Sequence, residues 1–317
     1  GPLLQRPGEL LTQPQADARV RAPYRVDLAA VLGSFVRGRA DPTVRLVGRD
    51  EAWLSGRTAG GPATLRLTVA GDDVRAQGWG PGASTFVASV PDLLGFADDP
   101  SGFPAALLPD VLAPAWNRYG QRWRVPRSGL VLEALVAAVC EQKVTGIASR
   151  RVWRALLGQG EPAPGPAPAG MRVLPAPDQI ARVPSWQWHA WGMEPAQSRT
   201  MLRAMGVAGR LAALTSIPSG EARARMQSVP GIGPWTAAEV AQRALGDADA
   251  VSVGDFHLPR HVVFAFTGEV DGTDEQMAEV LAPFAGHRYR VQRLVELARI
   301  APPKHGPRMA VADNRHR

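Results

Sequence analysis

The feature that most constrains this chain is Val229-Pro230-Gly231-Ile232-Gly233, a glycine-rich corner between two helical stretches. One helix is expected over 221–228, and a second starts near Pro234-Trp235. Gly231 and Gly233 allow backbone angles that a side chain resists, and they let a ligand come close to the main chain. Pro234 suits a first helical turn, where its missing N–H costs nothing. Ile232 is expected to turn back and pin the corner to the core. The unpaired N–H groups and the positive end of the second helix then face outward as an anion site. Such a corner binds backbone phosphate without reading sequence. The plainer alternative is an ordinary helix–turn–helix connection with a glycine-rich corner.

Elsewhere the chain divides into two patterns. Residues 1–22 are polar and aperiodic, and are expected to form a flexible lead-in; Gly1-Pro2 reads as a tag-cleavage scar. Short runs at 43–47, 52–58, 63–69 and 74–79 read as strands, with Gly60-Gly61 and Gly71-Asp72 at hairpin positions. A helix at 28–37 precedes them and another apolar helical stretch begins over 90–97. The region 23–92 is therefore expected to be an α+β domain built on an antiparallel sheet. From 93 to 300 the pattern is helical. Helices are expected at 132–140 (with Ser128 as its N-cap), 146–157, 177–181, 185–191, 195–204, 209–214 and 234–245. The stretch 161–170 is too rich in proline for a helix and reads as a surface loop. Trp186, Trp188 and Trp191 read as helix packing, and Gly192 as a helix C-terminus. The segment 301–317 is a basic tail.

The net charge is +7 with a pI near 10.5, which suits a polyanion partner. Only Lys143 and Lys304 are lysines, so arginine supplies almost all the positive charge. Cys140 is the single cysteine. That excludes an internal disulfide and any cysteine-ligated zinc or iron–sulfur site within the chain. Cys140 falls in an apolar helical pattern and reads as a buried bystander. No apolar run is long enough to span a bilayer, and a cytoplasmic, nucleoid-associated location is the expectation.

The corner and the segment after it resemble the helix-hairpin-helix DNA glycosylase superfamily. Members have a hairpin of this kind, a helix, a glycine- and proline-rich loop, and then an aspartate opening the next helix. Here these are 229–233, 234–245, 246–254 and Asp255. The AlkA-like 3-methyladenine glycosylases fit best, because they also begin with a sheet-containing domain. They also carry a glutamine in the loop after the first long helix, matched by Gln142. The resemblance implies a mostly α fold with an N-terminal α+β domain, its helical region forming two subdomains around an active-site cleft.

It further implies that double-stranded DNA containing damaged bases is the partner and that the chain acts as a monomer. Asp255 would be the catalytic residue, stabilising an oxocarbenium-like sugar cation after the base is flipped out. Val229, Gly231, Ile232, Gly233, Pro234 and Thr236 would contact DNA, together with Gln142 and Lys143. No cofactor is required and no metal site is expected, with a monovalent cation at the hairpin carbonyls left open. Asp255 also reads as a helix N-cap, a role compatible with the first. Pro259 should distort the turn it opens.

Three positions depart from the family pattern. Where strand-cleaving members carry a lysine after the hairpin, this chain has Trp235, which implies hydrolysis without a Schiff base. Trp235 either packs in the core or lines the pocket. Where AlkA-like members have an apolar wedge, it has Lys143, which either fills the gap left by the base or is simply exposed. Where they have a base-stacking tryptophan, it has none, and Phe284 or Tyr289 could substitute. Arg288, Arg290 and Arg293 read as a solvated or phosphate-facing surface, Asp271-Gly272 as a turn, and Thr273 with Gln276 as a capping box. A related glycosylase for oxidised or deaminated bases, or a DNA-binding protein without catalysis, are the competing readings.

Overall fold

The computed structural model describes residues 12–303. Five strands, β1 (Ala16–Arg21), β2 (Val44–Val47), β3 (Glu51–Thr58), β4 (Gly61–Ala70) and β5 (Asp73–Trp79), form one antiparallel sheet in the order β1-β5-β4-β3-β2. One face presents Ala52, Leu54, Leu65, Leu67, Val74 and Ala76 to α1 (Leu28–Leu32) and α2 (Ala83–Ala88). Gly78 permits this packing, because a Cβ there would lie 2.9 Å from the Ala83 carbonyl oxygen and from Val87. On Trp53 and Trp79, which stack at 5.6 Å, lies Met171 of the proline-rich segment. That segment is a strap: Ser55 and Arg57 donate to the carbonyls of Arg172 and Leu174.

The lead-in reading fails at 16–21, which pairs with β5 over its whole length. Its alternation is Ala-Asp-Ala-Arg-Val-Arg, with small residues on the covered face, so the period-2 signal is faint. Residues 1–11 and 304–317, which include most of the basic tail, lie outside the described residues. The stretch 83–88 is helical although no helix was expected there. The helix expected over 28–37 ends at Leu32 and continues as a 3-10 turn, Gly33–Phe35. The one expected over 90–97 is only α3 (Val90–Leu93).

The rest is helical: α4 (Ala113–Tyr119), α5 (Val131–Glu141), α6 (Gly146–Leu157), α7 (Pro177–Ala181), α8 (Ser185–Trp191), α9 (Pro195–Gly206), α10 (Ala208–Ala212), α11 (Ser219–Gln227), α12 (Pro234–Val240), α13 (Leu258–Thr267), α14 (Asp274–Leu281) and α15 (Arg288–Ala298). Ser128, expected to cap α5, stands before its first turn and accepts from the Leu130 N–H at 3.1 Å. The helices build two cores. One gathers buried residues from Val131 to Ala250, with α5 at its centre. The other joins Phe103, Leu112 and Ala115 to residues from Leu258 to Val295. The chain crosses from the first core to the second between Ala250 and Leu258. No described helix is long and apolar enough to cross a membrane.

Glu133 of α5 lies in the seam between this helix and the sheet, beside Leu54, Ser55, Phe86 and Arg37. Its Oε2 has no hydrogen-bond partner. Burial pushes its carboxyl up to about 8, against the pull of Arg37. A raised acid binds its proton more tightly in the folded state than in the unfolded one. Stability contributed by the neutral form is therefore full below the ordinary value of 4.5 and lost as pH rises toward 8. We expect urea midpoints of the wild type to fall between pH 5 and pH 8, and those of Glu133→Gln to fall less. Equal falls would remove Glu133 as the cause.

Candidate functional site

The corner at 229–233 rests on α9. Gly231 has φ +98, and a Cβ there would sit 1.9 Å from Thr200 Oγ1. Glycine is therefore required twice, for its angle and for its contact. Ile232 is 4% exposed and packs into the α5 core, so only its backbone faces outward. Its N–H donates to the Val229 carbonyl at 3.0 Å. Gly233 opens α12, has φ −94, and has nothing within 4 Å of the place its Cβ would take. Pro234 follows in the first turn, and the N–H groups of that turn have no partner one turn back.

Gln142 is bound to this corner. Its Nε2 donates to the Gly231 carbonyl at 3.0 Å and to Thr236 Oγ1 at 2.9 Å. Thr236 is 2% exposed, so its hydroxyl serves as an internal acceptor and not as a contact for an outside ligand. Lys143 is exposed and has φ +52, a strained angle for a non-glycine residue. The carbonyls of Val229, Pro230 and Gly231 accept from Ile232 N, Arg203 Nη1 and Gln142 Nε2, so a monovalent cation there would have to share them.

Asp255 stands in the crossing between the two cores. Its Oδ1 accepts from the N–H groups of His257 (2.8 Å) and Leu258 (2.9 Å), and its Oδ2 from Trp235 Nε1 at 3.0 Å. The carboxylate is half-buried and fixed at both oxygens. Trp235 joins it from α12 on the other core. The helix after Asp255 begins only at Leu258, with Pro259 in its first turn. Phe256, the residue after Asp255, is 70% exposed and sets its ring edge-on to His257. His261 lies one turn on, its pKa lowered by burial and then by His257.

A buried polar network holds the loop that carries Asp255. Glu239 accepts from Ser252 Oγ at 2.5 Å and pairs with Arg243 at 2.7 Å. Burial raises the Glu239 pKa, opposed by Arg243. Gln242 donates to the Ala250 carbonyl at 2.8 Å and to Ser252 Oγ at 2.9 Å, and Gln292 accepts from Ser252 N at 3.2 Å. Asp249 is clasped by Arg288 and accepts from Gly286 N. Arg243 reaches the Ser34 carbonyl, tying the network to the sheet domain. Losing one donor here leaves buried acceptors unpaired, at a cost of about 1–3 kcal/mol each.

Several expectations are corrected. Phe284 and Tyr289 are each 1% exposed. Phe284 packs against Phe103 and Phe266, and Tyr289 against Trp123, so neither ring can meet a base without opening a core. Arg290 and Arg293 are buried and pair with Asp98 and Glu296, while Arg288 stays 41% exposed but is clasped by Asp249. Of the three clustered tryptophans, Trp188 is buried but Trp186 is 68% exposed. Sequence reading missed Phe256 and the network. Glu239, Gln242 and Arg243, polar residues amid the alanines of 237–244, were the available signal for the latter.

No family model matches the chain. It is 31% identical over 179 residues to the probable bifunctional transcriptional activator/DNA repair enzyme AlkA of Mycobacterium tuberculosis, covering 55% of this chain and 35% of that protein. The chain thus matches about a third of the length of its curated relatives. In fold it is similar to the 3-methyladenine DNA glycosylase of Archaeoglobus fulgidus (TM-score 0.70, 18% identity, 89% of this chain and 98% of that one). It is also similar to the 8-oxoguanine glycosylase/lyase of Clostridium acetobutylicum in complex with double-stranded DNA (TM-score 0.67, 10% identity, 89% and 94%). The chain thus shares its fold with these two glycosylases, and over its matched stretch its sequence is similar to that of the Mycobacterium tuberculosis protein.

The two corner glycines should differ under substitution. Gly231→Ala must displace Thr200 and strain the backbone, and we expect a loss of about 1–3 kcal/mol in urea unfolding. Gly233→Ala meets open space at an ordinary angle and should change stability by less than about 1 kcal/mol. Equal effects would mean that the contact with α9 does not fix the corner.

Proposed function

We propose that the chain is a monofunctional DNA glycosylase. It hydrolyses the N-glycosidic bond of alkylated purines, of the 3-methyladenine and 7-methylguanine type, in double-stranded DNA. One observation carries this reading. A carboxylate, Asp255, is held at both oxygens in the crossing between two cores, and one of its donors comes from the helix that the glycine corner opens. The corner grips the backbone; the carboxylate faces the nucleotide turned out of the stack.

As the C1′–N bond breaks, the base leaves with the bonding electrons and the sugar becomes cationic. A carboxylate about 4 Å from a unit positive charge gains about 4 kcal/mol at an effective dielectric near 20. That is roughly a thousandfold in rate. Water then adds to C1′ and loses its proton. An alkylated purine already bears positive charge and departs without prior protonation, so a single well-placed carboxylate suffices for it. The aromatic face at this site is supplied by Phe256, which is exposed beside Asp255.

Trp235 supports hydrolysis without strand cleavage. The side chain that reaches Asp255 from α12 is an indole, which has no amine to form a Schiff base. The relative's role as a DNA repair enzyme supports the same substrate class. The second reading, a glycosylase for oxidised bases, is favoured by the equally good fold match to an 8-oxoguanine enzyme.

Duplexes carrying one defined lesion each distinguish these readings. We expect release of 3-methyladenine or 7-methylguanine, with Asp255→Asn slower by about a thousandfold under single-turnover conditions. Release of 8-oxoguanine alone would replace the first reading with the second. Full activity in Asp255→Asn would overturn the assignment of the carboxylate. Borohydride trapping should give no covalent adduct; an adduct would overturn the monofunctional mechanism.

A further inference from the structure

Helix α9 presents three faces. Met201, Ala204 and Met205 enter the α5 core. Gln197 and Thr200 meet the site from beneath: Gln197 Nε2 donates to the carbonyls of Val139 (3.1 Å) and Gln142 (3.0 Å), and Thr200 lies against Gly231. The outward face carries Ala196, Arg199, Arg203 and Gly206, all exposed and spaced along one stripe of the helix. This stripe adjoins the Gln197–Thr200 face, against which both the corner and the Gln142–Lys143 loop are held.

The stripe has an unusual charge pattern. Arg199 and Arg203 stand four residues apart, where like charges repel on a helix surface. Neither makes an ion pair among the described residues, whereas Arg223 and Arg225 of α11 pair with Asp247 and Glu221. The one polar contact of Arg203 is Nη1 to the Pro230 carbonyl, a long 3.4 Å that places its guanidinium at the edge of the corner. Ala196 and Gly206 flank the pair with nothing bulky, so a flat or convex polyanion can come close. Four residues of helix advance about 6 Å, while one DNA strand offers a phosphate about every 3.4 Å of rise. The spacing along the helix thus corresponds to about two phosphate steps of one strand, within reach of two long arginine side chains.

We propose that α9 is a second backbone-binding element, with Arg199 and Arg203 seating two phosphates of the duplex that flanks the corner. The partner, duplex DNA, rests on the reading given under Proposed function; the surface and its residues are additional to it. The repulsion between the two arginines is relieved when the anion binds. The contact carries no sequence information and does not depend on a lesion.

The salt dependence of binding by the full chain tests this. Fluorescence anisotropy is measured between 50 and 200 mM salt, on a lesion-free duplex and on the same duplex with one lesion. Each phosphate contact contributes about 0.9 to the slope of log K against log salt. We expect the magnitude of the slope to fall by about 0.9 in Arg199→Gln and by about 1.8 in Arg199→Gln/Arg203→Gln, equally on both duplexes. Arg203→Gln can loosen the corner through Pro230, so Arg199→Gln, checked by an unshifted thermal melt, is the deciding variant. An unchanged slope in Arg199→Gln overturns the proposal, as does a fall seen only with the lesion. If the wild type binds no duplex, the DNA reading and this surface fall together. If it binds, the slopes respond, and no base is released from any lesion, the glycosylase reading falls and the surface stands.

Discussion

The site depends on a hydrogen bond between two cores. Trp235 belongs to the helix that the corner opens, and Asp255 to the segment leading into the next core; the indole N–H joins them at 3.0 Å. The same helix carries Glu239 and continues through Gln242, whose amide holds the Ala250 carbonyl and the Ser252 hydroxyl. One short piece of chain thus shapes the glycine corner at its start, meets the carboxylate along its flank, and fixes the loop that delivers that carboxylate. A shift of this helix relative to its neighbours moves all three. Gln142 adds a fourth tie by bonding Gly231 and Thr236 at once, so the Lys143 loop moves with the corner.

The parts legible in the sequence were those set by local chemistry. The corner, the four strands between 43 and 79, the helix Gly146–Leu157, the C-terminal glycine at 192 and the Thr273–Gln276 box all rest on residues whose reasons are near in the chain. Strand β1 was hidden because its covered side is alanine, which signals little. The partners of Arg288 and Arg290 were not legible, whereas Glu296, three residues after Arg293 on the same helix, was a local signal that went unread. Asp98 lies 192 residues from Arg290, and no local pattern announces such a pair. Phe284 and Tyr289 were placed in the pocket by their closeness in sequence to an expected aromatic position, but the packing of Phe103, Phe266 and Trp123 claims them. Phe256 went unremarked because exposure, which a sequence does not state, is what distinguishes it from a core aromatic.

Arginine is abundant across the chain, so charge by itself says little about where an anion binds. The pairing pattern says more. In the helical region many arginines are spent on carboxylates that brace loops, such as Asp249 and Asp98. Among those without a carboxylate partner in the described residues, Arg199 and Arg203 lie along the corner. Structural acids thus sort a uniformly basic chain into braced and available positions.

The crossing between Ala250 and Leu258 has a consequence for how such a protein can diverge. Of the segment that carries Asp255, Val251 packs against the second core, and the rest is held mainly by polar bonds drawn from both. Substitutions that conserve volume can accumulate inside either core without reaching the carboxylate. Changes at the few bridging polar groups are felt there at once. The framework is free to drift under weak selection, while the joint sets how far the two halves can change independently of each other.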